Sequence, residues 1–212
     1  MLAAMQEAVQ ADLRLYPDPA CQELRQAAAG RFALSERQVF IGNGSDEILA
    51  FSFAAFFTPG APVLFPDVTY SFYKVYANLY GLPYETIALD MIFICGWTHF
   101  IRSAREFSSR IRMRQRGNMF RPLLEKHAEH VVILDEAYID FGGESAVKLI
   151  NEYPNLLVIQ TLSKSRSLAG FRVGMAFGQE DLIEGLGRVK NSFNSYTLDR
   201  IALAGAKAAP GR

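Results

Sequence analysis

The sequence predicts an α/β protein with a mainly parallel central sheet flanked by helices, and three observations predict it. Short strands alternate with helices along most of the chain, the pattern of a doubly wound sheet. Stretches such as "VVIL" (131–134) and "LLVI" (156–159) are apolar without a break, as strands covered on both faces must be. The conspicuous polar residues stand directly after such strands: Asp135, Ser163 with Lys164, and Gly44–Asp46. In open α/β sheets ligands bind at those carboxyl ends.

The elements follow in order. "CQELRQAAAGRF" reads as a helix, and "QVFIGNGSDEILAFSFAAFF" as a strand, a glycine turn and an apolar helix. Ser45 is the expected N-cap of that helix, with Asp46 and Glu47 in its first turn, where acids suit the helix dipole. "PVLFPD" is a short strand, "YSFYKVYANLYGL" a helix closed by Gly81, and "PYETIAL" a strand. After residue 120 come helix "RPLLEKHAEH", strands "VVILDEAY", "NLLVIQTLSK" and "FRVGMAFG", and helix "QEDLIEGLGRVK". Repeats and low-complexity stretches do not occur.

Composition narrows the partners. The chain has 212 residues, half of them hydrophobic, and its 22 basic residues balance 22 acidic ones. No global field therefore favours nucleic acid or an anionic membrane. The longest apolar run, "AFSFAAFF", is far too short for a membrane span, and the first residues lack a signal-peptide layout. Cys21 and Cys95 have no metal-like spacing and are too few for a disulfide framework, so a reducing cytoplasm is expected. His99, His127 and His130 form no ligand pattern, and no metal is expected.

Residues 91–120 break the rhythm. They hold six arginines against one acid, Glu106, for a local net charge of +5, and the only tryptophan, Trp97. Nothing there reads as a clean strand or amphipathic helix, so the segment is expected to lie outside the core as a loop. A basic insert that binds nucleic acid is the competing reading, but nothing around it supports that role.

The chemistry concentrates in "TLSKSRSLAGFRVG" (161–174), where Ser163, Lys164 and Arg172 follow an apolar strand among small residues. Such a set suits a phosphate held beside a reactive amine. Pyridoxal phosphate asks for more: a lysine for its aldehyde, a carboxylate against the ring nitrogen, a donor to the ring hydroxyl, and amides, hydroxyls and an arginine on the phosphate. Each requirement has a candidate at a strand end. "GNGSDE" is no dinucleotide fingerprint, because its glycine spacing is wrong.

Taken together, "YPDP", "GNGSDE", "DVTYSFY", "DEAYIDF" and "TLSKSRSLAGFRVG" resemble the fold-type I pyridoxal-phosphate-dependent aminotransferases, and within them the histidinol-phosphate aminotransferases. The likeness covers about residues 8–90 and 121–209, with order and spacing kept. It implies that Lys164 is the Schiff-base lysine and proton-shift base, that Asp135 pairs with the ring nitrogen, and that Tyr138 bonds the ring hydroxyl. Tyr70 would stack on the ring. Ser163 and Arg172 would hold the phosphate, with backbone amides from Ser45 and Asp46 at a helix N-terminus. Tyr16 would reach the phosphate of a neighbouring subunit, implying a homodimer with shared sites. The implied reaction moves an amino group between histidinol phosphate and 2-oxoglutarate. An aminotransferase for aromatic or other amino acids and a non-catalytic fragment are the alternatives.

Two departures qualify the resemblance. The family carries a segment close to N-P-N-x-P-T-G before "DEAY", whose asparagine contacts the ring hydroxyl; residues 91–120 stand in its place. Reading "RIRMRQRG" (110–117) one nucleotide earlier, with suitable synonymous codons, gives Asn-Pro-Asp-Ala-Pro-Thr-Gly. The expectation is therefore an out-of-frame or inserted segment within an incomplete large domain spanning 1–212. The family also continues into a small C-terminal domain, and that domain is expected to be missing here.

Overall fold

The computed structural model describes residues 1–9, 11–87, 99–103 and 120–209. Seven strands form one sheet: β1 (Val39–Asn43), β2 (Val63–Pro66), β3 (Tyr84–Ile87), β4 (His99–Ser103), β5 (Val132–Asp135), β6 (Leu156–Thr161) and β7 (Val173–Gly178), in the order β1-β7-β6-β5-β4-β2-β3. β5 and β6 run parallel, as do β2 and β3, whereas β4 and β7 oppose both their neighbours. Five of the seven strands therefore share one direction, and the sheet is mixed.

The uninterrupted apolar runs have the predicted cause. Along β5 and β6, Val132, Leu134, Leu156 and Val158 face one core, while Ile133, Leu157 and Ile159 face the other. The first core is covered by α1 (Leu2–Ala8), α2 (Gln22–Phe32), α5 (Arg121–Lys126) and α7 (Arg200–Lys207), through Met5, Leu24, Leu124 and Ala202. The second is covered by α3 (Gly44–Phe56), α4 (Phe72–Leu79) and α6 (Glu180–Phe193), through Leu49, Phe53, Tyr73 and Leu186. Fully burying one such side chain contributes roughly 1.5–3 kcal/mol. Gly81, at φ +64, ends α4 as expected, and the Leu82 amide turns back onto the Ala77 carbonyl at 2.8 Å.

Two expectations need correction. Residues 99–103 do not lie in a loop outside the core: they form β4, between β5 and β2. The physical reason is the backbone. Without a strand there, β2 and β5 would each leave a row of amides and carbonyls unpaired in mid-sheet, at about 1–3 kcal/mol per buried group. The other residues of 91–119, with Cys95, Trp97 and the codon-shift motif, lie outside the described residues. Second, Asn43, not Ser45, is the N-cap of α3. Gly44, at φ +78, starts the turn a residue early, and Glu47 Oε2 accepts the Asn43 amide at 2.6 Å. Ser45 consequently sits inside the first turn.

Candidate active site

Strand direction explains why distant residues meet. β1, β2, β5 and β6 all end at one edge of the sheet, and β7, running back, begins there. That edge collects the start of α3, the turn after β2, Asp135, the loop after β6 and Arg172. They surround a cavity of about 330 Å³ lined by Ser45, Asp46, Val68, Thr69, Tyr70, Asp135, Ala137, Tyr138, Thr161, Ser163, Lys164 and Arg172. Eight of the nine residues singled out in the sequence line it. Tyr16 does not: it is 76% exposed, stacks on Tyr196 with ring centroids 4.5 Å apart, and its carbonyl accepts from Arg200 at 2.8 Å.

Close backbone approach builds one end of the cavity. A Cβ on Gly174 would stand 2.6 Å from the Ser45 nitrogen and 2.7 Å from the Gly44 oxygen, so only glycine lets β7 lie against the start of α3. A Cβ on Gly44 would strike the Arg172 guanidinium at 2.5 Å. Arg172 itself holds a left-handed backbone at φ 52, a conformation that costs a non-glycine residue roughly 1–2 kcal/mol. The guanidinium reaches Ser163 Oγ at 3.5 Å and Asp46 Oδ2 at 3.2 Å. The sequence reading assigned only the amide of Asp46 to this end; the structure turns its carboxylate here too, where it also accepts from Tyr70 at 3.0 Å. Burial, with that hydrogen bond, pushes the Tyr70 phenol up to about 12.

A carboxylate and an amine line the same cavity. Asp135, 5% exposed, accepts from the Ala137 amide on Oδ1 at 3.1 Å and from the Tyr73 hydroxyl on Oδ2 at 2.7 Å. Lys164 is exposed and lines the cavity, with Nζ 5.2 Å from the centroid of the Tyr138 ring, a cation–π contact. Thr69 Oγ1 is buried and has no hydrogen-bond partner among the described residues. Behind the cavity, Glu136 is fully buried and accepts from Ser145 Oγ, the Ala146 amide and Gln160 Nε2 at 2.7, 2.7 and 3.0 Å. Burial raises its carboxyl above the ordinary value, and these donors oppose the rise.

Sequence reasoning missed Tyr73, Thr69 and Thr161. Tyr73 hid in the stripe Tyr70, Tyr73, Tyr76, Tyr80, which reads as core, and most of it is core. Spacing gave no signal, because α4 begins only at Phe72 and Tyr70 lies before it. A larger cavity, about 840 Å³, lies between β1 and α6, but its three arginines are engaged: Arg37 pairs with Glu180 at 3.6 Å, Arg188 with Glu184 at 2.6 Å, and Arg25 donates to the Glu36 carbonyl at 2.8 Å. It contains none of the predicted residues.

Comparison with known proteins bears on the family and the fold. Residues 1–105 and 120–210 match the family described as aminotransferase class I and II. Over 99% of its length the chain is 55% identical to a histidinol-phosphate aminotransferase of Clostridium beijerinckii, covering 60% of that protein. It is 53% identical to histidinol-phosphate aminotransferase 1 of Pseudomonas aeruginosa, over 98% of this chain and 61% of that one. The chain thus spans about 60% of the length of the curated relatives it matches. The fold superposes on the crystal structure of a Sinorhizobium meliloti histidinol-phosphate aminotransferase in complex with pyridoxal-5'-phosphate, with TM-score 0.78 and 21% identity over 98% of this chain and 59% of that one. No helix among the described residues is long and apolar enough to cross a membrane. The α/β fold, the edge cavity and the matched family lead to one conclusion: the chain belongs to the aminotransferase class I and II family.

Proposed function

We propose that this chain is the incomplete large domain, residues 1–212, of a pyridoxal-phosphate-dependent aminotransferase that converts histidinol phosphate and 2-oxoglutarate to imidazole acetol phosphate and glutamate. The observation that carries the reading is the gathering of Lys164, Asp135, Ser163 and Arg172 on one cavity from three separate stretches of chain. The names of the curated relatives, matched at more than 50% identity, support the substrate. A cytoplasmic homodimer, with Tyr16 reaching into the partner's site, completes the reading.

The residues present fit the cofactor. A dianionic phosphate matches Arg172, the Ser163 hydroxyl and the first turn of α3, whose Ser45 and Asp46 line the cavity. The orphaned Thr69 Oγ1 is a polar atom still lacking a partner, and a polar ligand in this cavity would offer one. When bound, pyridoxal phosphate supplies an aldehyde for amines and a conjugated ring that absorbs electrons. Asp135 would sit against the ring nitrogen, where a carboxylate favours the protonated form. Lys164 would supply the amine for the aldehyde and, when free, a base at Nζ for the substrate's proton. Tyr70 would cover a ring face, and Tyr138 would donate to the ring hydroxyl.

A non-catalytic reading has one observation in its favour: the family match omits residues 106–119, inside the 91–120 segment that stands where a ring-hydroxyl asparagine is expected. We hold that segment to be out of frame, and codons incompatible with the shifted reading would end the idea. The direct experiment adds pyridoxal phosphate to the purified chain. A visible absorbance band that disappears in Lys164→Ala is expected; its absence from the unaltered chain would count against cofactor binding. Amino transfer from histidinol phosphate, measured against phenylalanine on the intact parent, decides the substrate.

A further inference from the structure

We propose that Tyr73 is a positioning residue that keeps the Asp135 carboxylate ionised and turned into the cavity, in the state and orientation that a pyridine nitrogen needs. The clause about the nitrogen rests on the pyridoxal-phosphate reading above; the hold on Asp135 stands on geometry alone. Tyr73 is fully buried, and its hydroxyl donates to Asp135 Oδ2 at 2.7 Å. The Ala137 amide donates to the other oxygen at 3.1 Å. Two donors from different elements, one on each oxygen, fix the plane of the carboxyl group.

Burial alone works against this state. A carboxyl group as enclosed as Asp135 is driven towards its neutral form unless donors favour the charge. A neutral acid would present a hydrogen to the ring nitrogen where a charge is required. Tyr73 can serve as the donor at any working pH, because burial and the nearby Asp135 hold its phenol well above the ordinary value. Its ring cannot swing away, packed edge-on against Phe65 and Tyr70 at centroid distances of 5.9 Å. If Tyr73 only filled the core, phenylalanine would serve as well. Tyr70, Tyr76 and Glu136 also interact electrostatically with Asp135, and Asp46, Lys164 and Arg172 line the same cavity. His99 occupies the paired register position on β4. All of them are unchanged by a substitution at position 73.

The test titrates Asp135 in the chain without added ligand, by carboxyl carbon-13 NMR, with Asp135→Asn to assign the resonance. In Tyr73→Phe the midpoint is expected to rise by about one pH unit, the size of one charge-assisted hydrogen bond. Tyr76→Phe, one turn further on, should leave it in place. An unmoved midpoint in Tyr73→Phe overturns the proposal. If that variant does not fold, Tyr73→3-fluorotyrosine, a stronger donor of nearly equal size, should lower the midpoint, and no movement there overturns it equally. With pyridoxal phosphate added, Tyr73→Phe should weaken binding by about tenfold, the effect of roughly 1.4 kcal/mol; unchanged binding removes the nitrogen clause. No absorbance band in the unaltered chain would instead reject the cofactor reading, while the titration still decides what Tyr73 does to Asp135.

Discussion

Asp46 is the residue whose role depends most on seeing the fold. Its carboxylate sits 3.2 Å from the Arg172 guanidinium, at the end of the cavity suited to a phosphate. A carboxylate there competes with an incoming anion for the same fork of donors. The two side chains are 44% and 42% exposed, so the pair is worth only about 0–1 kcal/mol. Asp46→Asn, which keeps the shape and removes the charge, should therefore tighten pyridoxal phosphate or inorganic phosphate by about two- to fivefold in a calorimetric titration. Weaker binding in the variant would mean that Asp46 steers Arg172 and does not compete for it. Strand position singled out Asp46 and Lys164 from sequence, since each follows a strand that ends at the ligand edge, whereas Arg172, just before β7, was singled out by its motif. Which group of Asp46 faces the cavity was not legible, because it depends on where α3 begins, and one glycine at positive φ decides that.

At the scale of elements, two contacts hold the edge together. The first ties the turn after β5 to the loop after β6: Asp140 accepts from Ser165 Oγ and from Arg166 Nε, the latter at 3.1 Å. Ser165 and Arg166 directly follow Lys164, so this clamp fixes the lysine loop against the turn that carries Tyr138. Burial alone would raise the Asp140 carboxyl, but Ser165, Arg166 and Arg31 outweigh it and hold the group below its ordinary value. A depressed carboxyl contributes stability above its unfolded pKa and loses it as pH falls through the folded one. Asp140→Asn should thus cost about 1–3 kcal/mol at neutral pH, and urea denaturation should show the difference shrinking below about pH 4. A loss that is the same at every pH would assign the effect to packing. The second contact is β7 against the start of α3. Gly174→Ala sets a methyl group against backbone atoms, which cannot rotate aside as a side chain can. About 1–3 kcal/mol of destabilisation, or loss of phosphate binding through a displaced α3, should follow. β5 and β6 were legible because burial on both faces leaves an unbroken apolar run. β4 was not, because what places a strand there is the unpaired backbone of its neighbours, and no side-chain pattern within 91–120 announces it.

At the scale of the whole molecule, the sheet has a core on each face and its chemistry at one edge, so neither core is opened to build the site. Tyr16 stands apart from that edge. It carries a mostly exposed phenol on a backbone held by Arg200 and a ring stacked on Tyr196, a fixed group presented outward. The sequence could single out Tyr16 but not its destination, since a contact between copies leaves no periodicity in either one. If its hydroxyl completes the phosphate seat of a second copy, cofactor binding and association become linked equilibria. Each then strengthens the other by mass action. Pyridoxal phosphate affinity should therefore fall as the protein is diluted through its dimer dissociation range, and sedimentation should show the ligand promoting the dimer. Tyr16→Phe keeps the ring stack on Tyr196 and removes only the hydroxyl. It should weaken cofactor binding by about tenfold in the dimer, the loss of one hydrogen bond to a charged group, with little effect on the monomer. An affinity indifferent to both dilution and this substitution would assign each site to one chain, and Tyr16 would then be an exposed tyrosine with a structural stack and nothing more.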